Sequence, residues 1–553
     1  MKKFYVISFI VFLFLMSDSV LADDNRSITL TKMAGGYRLE ADIDDISCTQ
    51  IAFAALYDNA GNMIFADYAP IKTGGKVSMN LGLPKALKGY YVLKLYSDGE
   101  MLSKDIYLSD CYDSSDFVKG SAVLKLPNAP LYIQNRTDAV IDVLTYYENP
   151  NVALTLTYTM GDSPSVSVPL TITETGMSVI SVPLHISRNG IYTINAELKD
   201  DDGTVISTLS RNLTVYDYYT PQFLDEYSYI GINLRTPSDY ASVDEKRKTV
   251  EYDVKLLNSL GIKCARFNAG GTWENVEPTF GYPDYKSTTD IWYELCKNAG
   301  IMLIRGIGGT YRPERTPVNK AILDHYGTYY NNTLLRYKDN ITFIEVWNEP
   351  ELDDKLVSHE AEHTVESDRY VYEPGYNKNL AILYSNIAKH ASNHTRMNSP
   401  EMDIITGCVS SIGQEFLSNM YKRGLYKYSD GFSYHPYNRN KNPDTSFEEK
   451  MDGYLKVIRE IGGWQRIYAT EFGWRIRPEG DVEDEGLYVS NATVAAKYNT
   501  KGYIMLADRG AEVAAMYALY DHTGTLGLIK NNYEPKESLL AIPAMTRMLG
   551  NAV

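Results

Sequence analysis

Glu349 closes the run Ile341-Thr342-Phe343-Ile344-Glu345-Val346-Trp347-Asn348-Glu349, and Glu471 stands near the end of Ile467-Tyr468-Ala469-Thr470-Glu471-Phe472-Gly473. Both runs are rich in β-branched and aromatic residues and read as strands, the first halted by Pro350. At a period of two, Glu345, Trp347 and Glu349 share one face. Two opposed carboxylates are what cleavage of a glycosidic bond requires. One, held protonated, gives a proton to the leaving oxygen; the other attacks the anomeric carbon or activates water. A gap of about 5–5.5 Å means a covalent intermediate and retention, and a wider gap means inversion. A lone strand-end glutamate reads more simply as a salt-bridge partner, which suits Glu345.

Such a pair works only if the fold sets its two strands face to face. After Tyr219, strand-like runs alternate with helical ones: 229–234, a helix near Val243–Leu260, then 263–268, 301–306, 341–349, 404–410, 431–437, 467–473 and 513–521. These eight strands, with helices between most of them, fit an α/β fold of the (β/α)8 TIM barrel type over residues 220–553. An open doubly wound sheet would show a Gly-rich phosphate fingerprint after its first strand, and none is there. Strands four and seven lie nearly opposite in an eight-membered ring, and barrel enzymes gather reactive groups at the C-terminal strand ends. Before Tyr219 the apolar period is two, as in Ile51, Phe53, Ala55, Tyr57 and in Val152, Leu154, Leu156, Tyr158, Met160. That pattern predicts two small all-β sandwich domains of Ig-like type, residues 23–113 and 114–219.

Trp347-Asn348-Glu349-Pro350 resembles the strand-four signature of the large clan A of retaining (β/α)8 glycoside hydrolases, and Thr470-Glu471-Phe472-Gly473 resembles its strand-seven one. The resemblance covers about residues 228 to 550 and is greatest to glycoside hydrolase family 39, with family 5 next. It implies Glu349 as acid/base, Glu471 as nucleophile and Asn348 holding the sugar's 2-hydroxyl. It implies that Arg266, closing the second strand, lies close to the nucleophile, where a cation favours the ionised carboxylate. Ser433-Tyr434-His435-Pro436-Tyr437 is similar to the family 39 His-Pro-Tyr. There Tyr437 is expected to donate to Glu471 and His435 to bind a sugar hydroxyl, the alternative being a hydrogen-bonded core histidine. Where the clan often has a tryptophan beneath the sugar, this chain offers Tyr517, Tyr520 and His522; its third strand ends in Gly308-Gly309-Thr310-Tyr311-Arg312, without the histidine of some relatives.

Trp273, Tyr311 and Trp474 fall in or beside the loops after the strands and are candidates for stacking on sugar faces, with Tyr520 from the eighth. Arg312, Arg315, Arg475 and Arg477 share these loops and could grip carboxylates of an acidic polysaccharide, or pair with Glu483, Asp484 and Glu485. His359-Glu360-Ala361-Glu362-His363 satisfies the zinc-protease pattern, which would place two histidines on one helical face with Glu360 as base. The stretch around it is polar and follows strand four, where it more naturally walls a sugar cleft. A non-catalytic carbohydrate-binding barrel is a further alternative, though it would need neither Glu349 nor Glu471.

The formal net charge of −16 argues against a nucleic-acid binder. Lys2, Lys3, the apolar run from Phe4 to Met16 and Val20-Leu21-Ala22 predict a signal peptide, residues 1–22, too short to span a bilayer. A secreted or periplasmic protein follows, with Cys48 and Cys111 available for one disulfide and Cys264, Cys296 and Cys408 as buried thiols. The expectation is a secreted retaining β-glycosidase, endo-acting because of long loops after strands three, four and seven. Its partner is a polysaccharide or oligosaccharide substrate. No cofactor, metal, nucleic acid or membrane span in the mature chain is expected, and the oligomeric state is left open.

Overall fold

The structure is a computed structural model that describes residues 28–549 apart from 34–35, 43–50, 58–62, 73–74, 82–88, 98–99, 109–111, 113–115, 128, 130–138, 217–228, 235–241, 268–272, 278–281, 286, 309–319, 353–363, 367–368, 372–375, 412, 463–464, 479–487, 522–524 and 532. The signal peptide, Cys48, Cys111, Tyr311, the histidines of the zinc-protease pattern and His522 therefore lie outside the described residues. Contacts divide the chain into a first unit ending at Val215 and a second from Tyr216 onward, the short stretch Asn189–Ile191 grouping with the second.

The first unit is all β. A three-stranded sheet (Ile28–Met33, Gly36–Asp42, Lys76–Leu81) and a four-stranded one (Met63–Pro70, Ile51–Tyr57, Gly89–Ser97, Glu100–Leu108) share a core that includes Leu39, Ala54, Leu56, Val77 and Leu93. A second pair, of three strands (Gly176–Pro183, Val140–Tyr147, Ser121–Lys125) and four (Val166–Ile172, Val152–Met160, Gly190–Asp200, Val205–Val215), shares a core built on Ile141, Val143, Leu156, Ile194 and Leu198. The alternation read from sequence explains the burial: Leu154, Leu156 and Tyr158 point inward while Thr155 between them is exposed.

The second unit closes eight parallel strands into a barrel: β1 (Ile230–Asn233), β2 (Cys264–Phe267), β3 (Met302–Ile307), β4 (Phe343–Val346), β5 (Asp403–Val409), β6 (Gly431–Tyr434), β7 (Arg466–Phe472) and β8 (Ala511–Met516), with β8 pairing back onto β1. A helix follows each strand: α1 (Val243–Leu260), α2 (Ser287–Asn298), α3 (Lys320–Tyr337), α4 (Tyr376–Asn398), α5 (Gln414–Lys422), α6 (Pro443–Val457), α7 (Ala492–Asp508) and α8 (Glu537–Leu549). Local chemistry sets the limits of α1. Ser242 and Glu245 form a reciprocal capping box at its start, and Gly261, with φ 74, takes the left-handed turn at its end. Cys264, Met302, Ile304, Phe343, Ile405, Tyr468, Val513 and Ala515 fill the barrel interior. Cys264, Cys296 and Cys408 are buried free thiols. Among the described residues no helix is long and apolar enough to cross a membrane.

Three strands stop three or more residues earlier than the sequence runs suggest. β4 ends at Val346 rather than Glu349, β6 at Tyr434 rather than Tyr437, and β8 at Met516 rather than Asp521. In β4 the reason is visible in the backbone: Trp347 and Glu349 have φ 74 and 42, which no strand accommodates. The residues beyond each strand turn across the mouth, and the site is built there.

Candidate active site

The turn after β4 places Glu349. Gly308 lets the Trp347 backbone come close, since a Cβ there would lie 2.5 Å from the Trp347 Cα. The Trp347 amide donates to the Ile307 carbonyl at 3.1 Å and the Glu349 amide to the Cys408 carbonyl at 2.9 Å. Cys408 itself has φ 47, at a register shift in the β5–β6 pairing. Left-handed backbone at three non-glycine residues costs roughly 1–3 kcal/mol each and is held only by its surroundings. Its effect here is to carry Glu349 out of the strand's alternation: its side chain is 24% exposed, while Glu345 below it is fully buried.

Arg266, fully buried at the end of β2, organises the charges. Its Nε donates to Glu345 Oε2 at 2.6 Å, Nη1 to Glu471 Oε1 at 2.5 Å and to Asn233 Oδ1 at 3.1 Å, and Nη2 to Asn348 Oδ1 at 2.7 Å. One guanidinium thus compensates two buried carboxylates, which would otherwise be very costly to desolvate. Glu471 Oε2 accepts from the Tyr437 hydroxyl at 2.8 Å. Burial alone would raise the Glu471 carboxyl, but the charges of His435 and Arg266 and the Tyr437 hydroxyl outweigh it and hold Glu471 below its ordinary value.

His435 is buried between the two glutamates. Its Nδ1 lies 2.7 Å from Glu349 Oε1 and 3.7 Å from Glu471 Oε2, and its Nε2 lies 3.4 Å from Cys408 Sγ. Burial lowers its pKa, yet Glu471, Cys408 and Glu349 together push it well above the ordinary histidine value. One donor atom each from Glu349, His435 and Glu471 fall within 4.8 Å of one another. Glu345, Cys408 and His435 form a second such group. Both have donor types a cation could use, but Arg266 already sits against Glu345, Glu471 and Cys408. The arrangement suits two carboxylates sharing one proton traffic: one ionised and held by donors, the other half-open beside an imidazole.

The structure therefore brings Glu349, Glu471, Asn348, Arg266, His435 and Tyr437 together. His435 differs from the expectation, since both ring nitrogens are engaged within the protein and its surface is fully buried; it orients Glu349 rather than reaching a sugar hydroxyl. Three aromatic expectations are corrected. Trp273 is 1% exposed, its Nε1 bonded to Glu277 and its ring stacked between His325 and Tyr329 at 5.5 and 5.6 Å. Trp474, also 1% exposed, donates to the Lys441 carbonyl and packs on Phe447, Phe472 and Tyr498. Tyr520 is turned to α1, where its hydroxyl donates to Asp253 Oδ1 at 2.5 Å. Helices cover both tryptophans, and Tyr520 is 8% exposed with Tyr533 against its ring, so none of the three offers a face to a sugar.

Tyr517, directly after β8, is, like Tyr437, a half-buried aromatic beside the carboxylates. Its amide bonds to the Phe472 carbonyl at 2.8 Å, and its hydroxyl feels the charges of Glu471, Arg266, Arg475 and Glu349. Its position directly after the eighth strand was the signal in its favour. Asn233, which accepts from Arg266 and donates to the Thr470 carbonyl at 2.9 Å, and Cys408 carry no comparable signal in the sequence.

Fold and site together define a (β/α)8 barrel with paired carboxylates at the C-terminal ends of strands four and seven. Neither a scan of protein-family models nor a search of curated proteins finds a match. Among solved structures, the chain is similar to a family 39 glycoside hydrolase from the gut symbiont Bacteroides cellulosilyticus WH2. Identity is 18% over 77% of this chain and 83% of that one, with a TM-score of 0.56, which establishes a shared fold. Looser overlaps occur with a GH2 beta-galacturonidase from Eisenbergiella tayi (12% identity, 95% of this chain, 88% of that chain, TM-score 0.41) and an exo-beta-1,4-mannosidase from Opitutaceae bacterium strain TAV5 (14%, 66%, 62%, TM-score 0.42).

Proposed function

We propose that this chain is a glycoside hydrolase that cleaves β-linked O-glycosidic bonds with retention, Glu349 being the acid/base and Glu471 the nucleophile. The observation that carries the reading is the approach of Glu349 and Glu471 oxygens to within 4.8 Å, one just past strand four and the other in the last residues of strand seven. Oxygens that close favour the short carboxyl separation of double displacement over the wider gap that an inverting pair keeps for its water. Glu471, kept ionised by Arg266, His435 and Tyr437, attacks the anomeric carbon while Glu349 protonates the departing oxygen. The bond to the leaving oxygen breaks as the glycosyl–Glu471 ester forms. Glu349, now a carboxylate, takes a proton from water, which releases the sugar and restores both groups.

The same reading takes the protein to be exported, with cleavage after Ala22, and to attack a polymer internally from an open cleft. It takes the two N-terminal β domains to be Ig-like spacers. The test is reducing-end release from a panel of neutral and acidic β-linked polysaccharides by wild type, Glu349→Gln and Glu471→Gln, each with and without EDTA. Release by wild type alone, indifferent to EDTA, is expected, with loss of at least about 10⁴-fold in Glu471→Gln. Full residual activity in Glu471→Gln would overturn the assignment; a wild type that binds polymer without releasing ends would be a carbohydrate-binding barrel.

A further inference from the structure

The turn Pro350–Leu352 that follows Glu349 carries another carboxylate, Glu351, which is 2% exposed and has no part in the reaction just described. Its Oε1 accepts a 2.5 Å hydrogen bond from the Ser410 amide, just past the end of β5. The Ser410 carbonyl in turn accepts from the Tyr454 hydroxyl, which itself accepts from the Gly413 amide at 3.2 Å. Gly413 is required here: a Cβ would lie 2.5 Å from Glu351 Oε1. Burial pushes the Glu351 carboxyl up to about 7, Glu349 adding to the rise and the Ser410 donors opposing it. A buried carboxyl is expensive, so one that is kept and given a fitted donor calls for a reason.

Two bonds tie the turn after β4 to the last residues of β5 and the turn that follows it. The Glu349 amide donates to the Cys408 carbonyl at 2.9 Å, and the Ser410 amide donates to Glu351. The first joins the two strained residues, Glu349 and Cys408, with φ 42 and 47, and the second lies two residues further along each segment. Cys408 also touches His435, whose other nitrogen meets the Glu349 carboxyl. Slack in one tie would therefore move Glu349 and its imidazole partner together.

We propose that Glu351 is a positioning residue for the reaction: its carboxyl clamps the Glu349 turn to the β5 turn and so sets where the Glu349 carboxyl stands against His435 and the leaving oxygen. This rests on the reading of Glu349 as acid/base. It has a consequence that simple structural support does not. A phenyl glycoside needs a proton on its leaving oxygen, whereas 2,4-dinitrophenolate departs without one. Loosening Glu349 harms the first reaction and spares the second.

The experiment measures kcat/KM, which reports formation of the glycosyl-enzyme, for phenyl and 2,4-dinitrophenyl β-glycosides of the mono- and oligosaccharides that wild type releases from the polysaccharide panel. Wild type, Glu351→Ala, Glu351→Gln and Glu349→Gln are compared, with thermal unfolding of each. Glu351→Ala is expected to lose about 10²-fold on the phenyl substrate, as displaced catalytic groups do, and less than about threefold on the dinitrophenyl one. Glu351→Gln keeps an oxygen for the Ser410 amide and is expected to restore most of the loss. Equal losses on both substrates, or none on either, overturn the proposal. If the alanine variant does not fold, Glu351→Asp, one methylene shorter, carries the same comparison. Failure of the parent reading looks different: Glu349→Gln then shows no leaving-group dependence, or wild type turns over no substrate, and both ideas fall.

Discussion

Asp253→Asn is expected to stabilise the protein at pH 8 much more than at pH 5. Asp253 lies on α1, fully buried, with Oδ1 accepting from Tyr520. Burial pushes its carboxyl from 3.8 up to about 7, the Tyr520 hydrogen bond opposing the rise. The sign follows from proton binding. An unfolded chain releases this proton near 3.8, while the folded chain keeps it until about 7. Wild-type stability therefore falls as pH climbs through that interval, and the penalty is complete above it. At 1.36 kcal/mol for each pKa unit the full penalty is on the order of 4 kcal/mol, of which about 1–2 is present at pH 5. Asparagine keeps an acceptor for Tyr520 and cannot ionise, so its advantage should grow by roughly 2–3 kcal/mol between the two pH values. At about 2 °C per kcal/mol the offset in Tm should widen by about 5 °C. Calorimetry of both proteins at one concentration and one scan rate is the assay, because unfolding at this size is often irreversible. An offset that stays the same at pH 5 and pH 8 would refute the buried, protonated Asp253.

Tyr437→Phe removes the hydroxyl that donates to Glu471 Oε2 at 2.8 Å. Glu471 must be ionised to attack, and losing one of the groups that hold it low raises it. The acid limb of the kcat/KM profile should move to higher pH, with a loss of about tenfold on that limb; an unmoved limb contradicts the role given to Tyr437. Trp273→Ala should lower Tm severely, at a cost of about 3–5 kcal/mol, without a selective rise in KM. Tyr517→Ala should do the reverse, raising KM with little change in Tm, which steady-state kinetics and melting curves on the two variants would check.

Much of the barrel was legible because its signals are local. Each parallel strand is a short apolar run covered on both faces, and the helices between them announce their ends, as Ser242, Glu245 and Gly261 do for α1. The two glutamates that meet at the mouth could be picked out because a barrel collects its strand ends there, so a carboxylate at the end of a run already has an address. Legibility failed just past those ends. Period-two reasoning put Glu349 on the inward face of a long β4, whereas the strand stops at Val346 and left-handed turns aim the side chain. No pattern of residue types encodes such a turn, since the partners that impose it, Gly308 just past β3 and Cys408 in β5, come from other parts of the chain. Glu351 looked like any acidic loop residue until Ser410 and Gly413 enclosed it.

The aromatics mark the same boundary. A tryptophan or tyrosine after a strand can face the mouth or sink beneath it, and its sequence neighbours do not decide which. His325 and Tyr329 from α3 closed over Trp273, Phe447 and Tyr498 from α6 and α7 closed over Trp474, and Asp253 on α1 drew Tyr520 away. Sequence by itself determined the order of strands and helices, the alternating β domains and the residues holding the paired carboxyls, because these depend on periodicity and on residue type. Tertiary structure decided how Glu349 is aimed, that both nitrogens of His435 are spent within the protein, and that Tyr517 stays half-buried beside the carboxyls. Those outcomes depend on side chains distant in sequence competing for the same buried space.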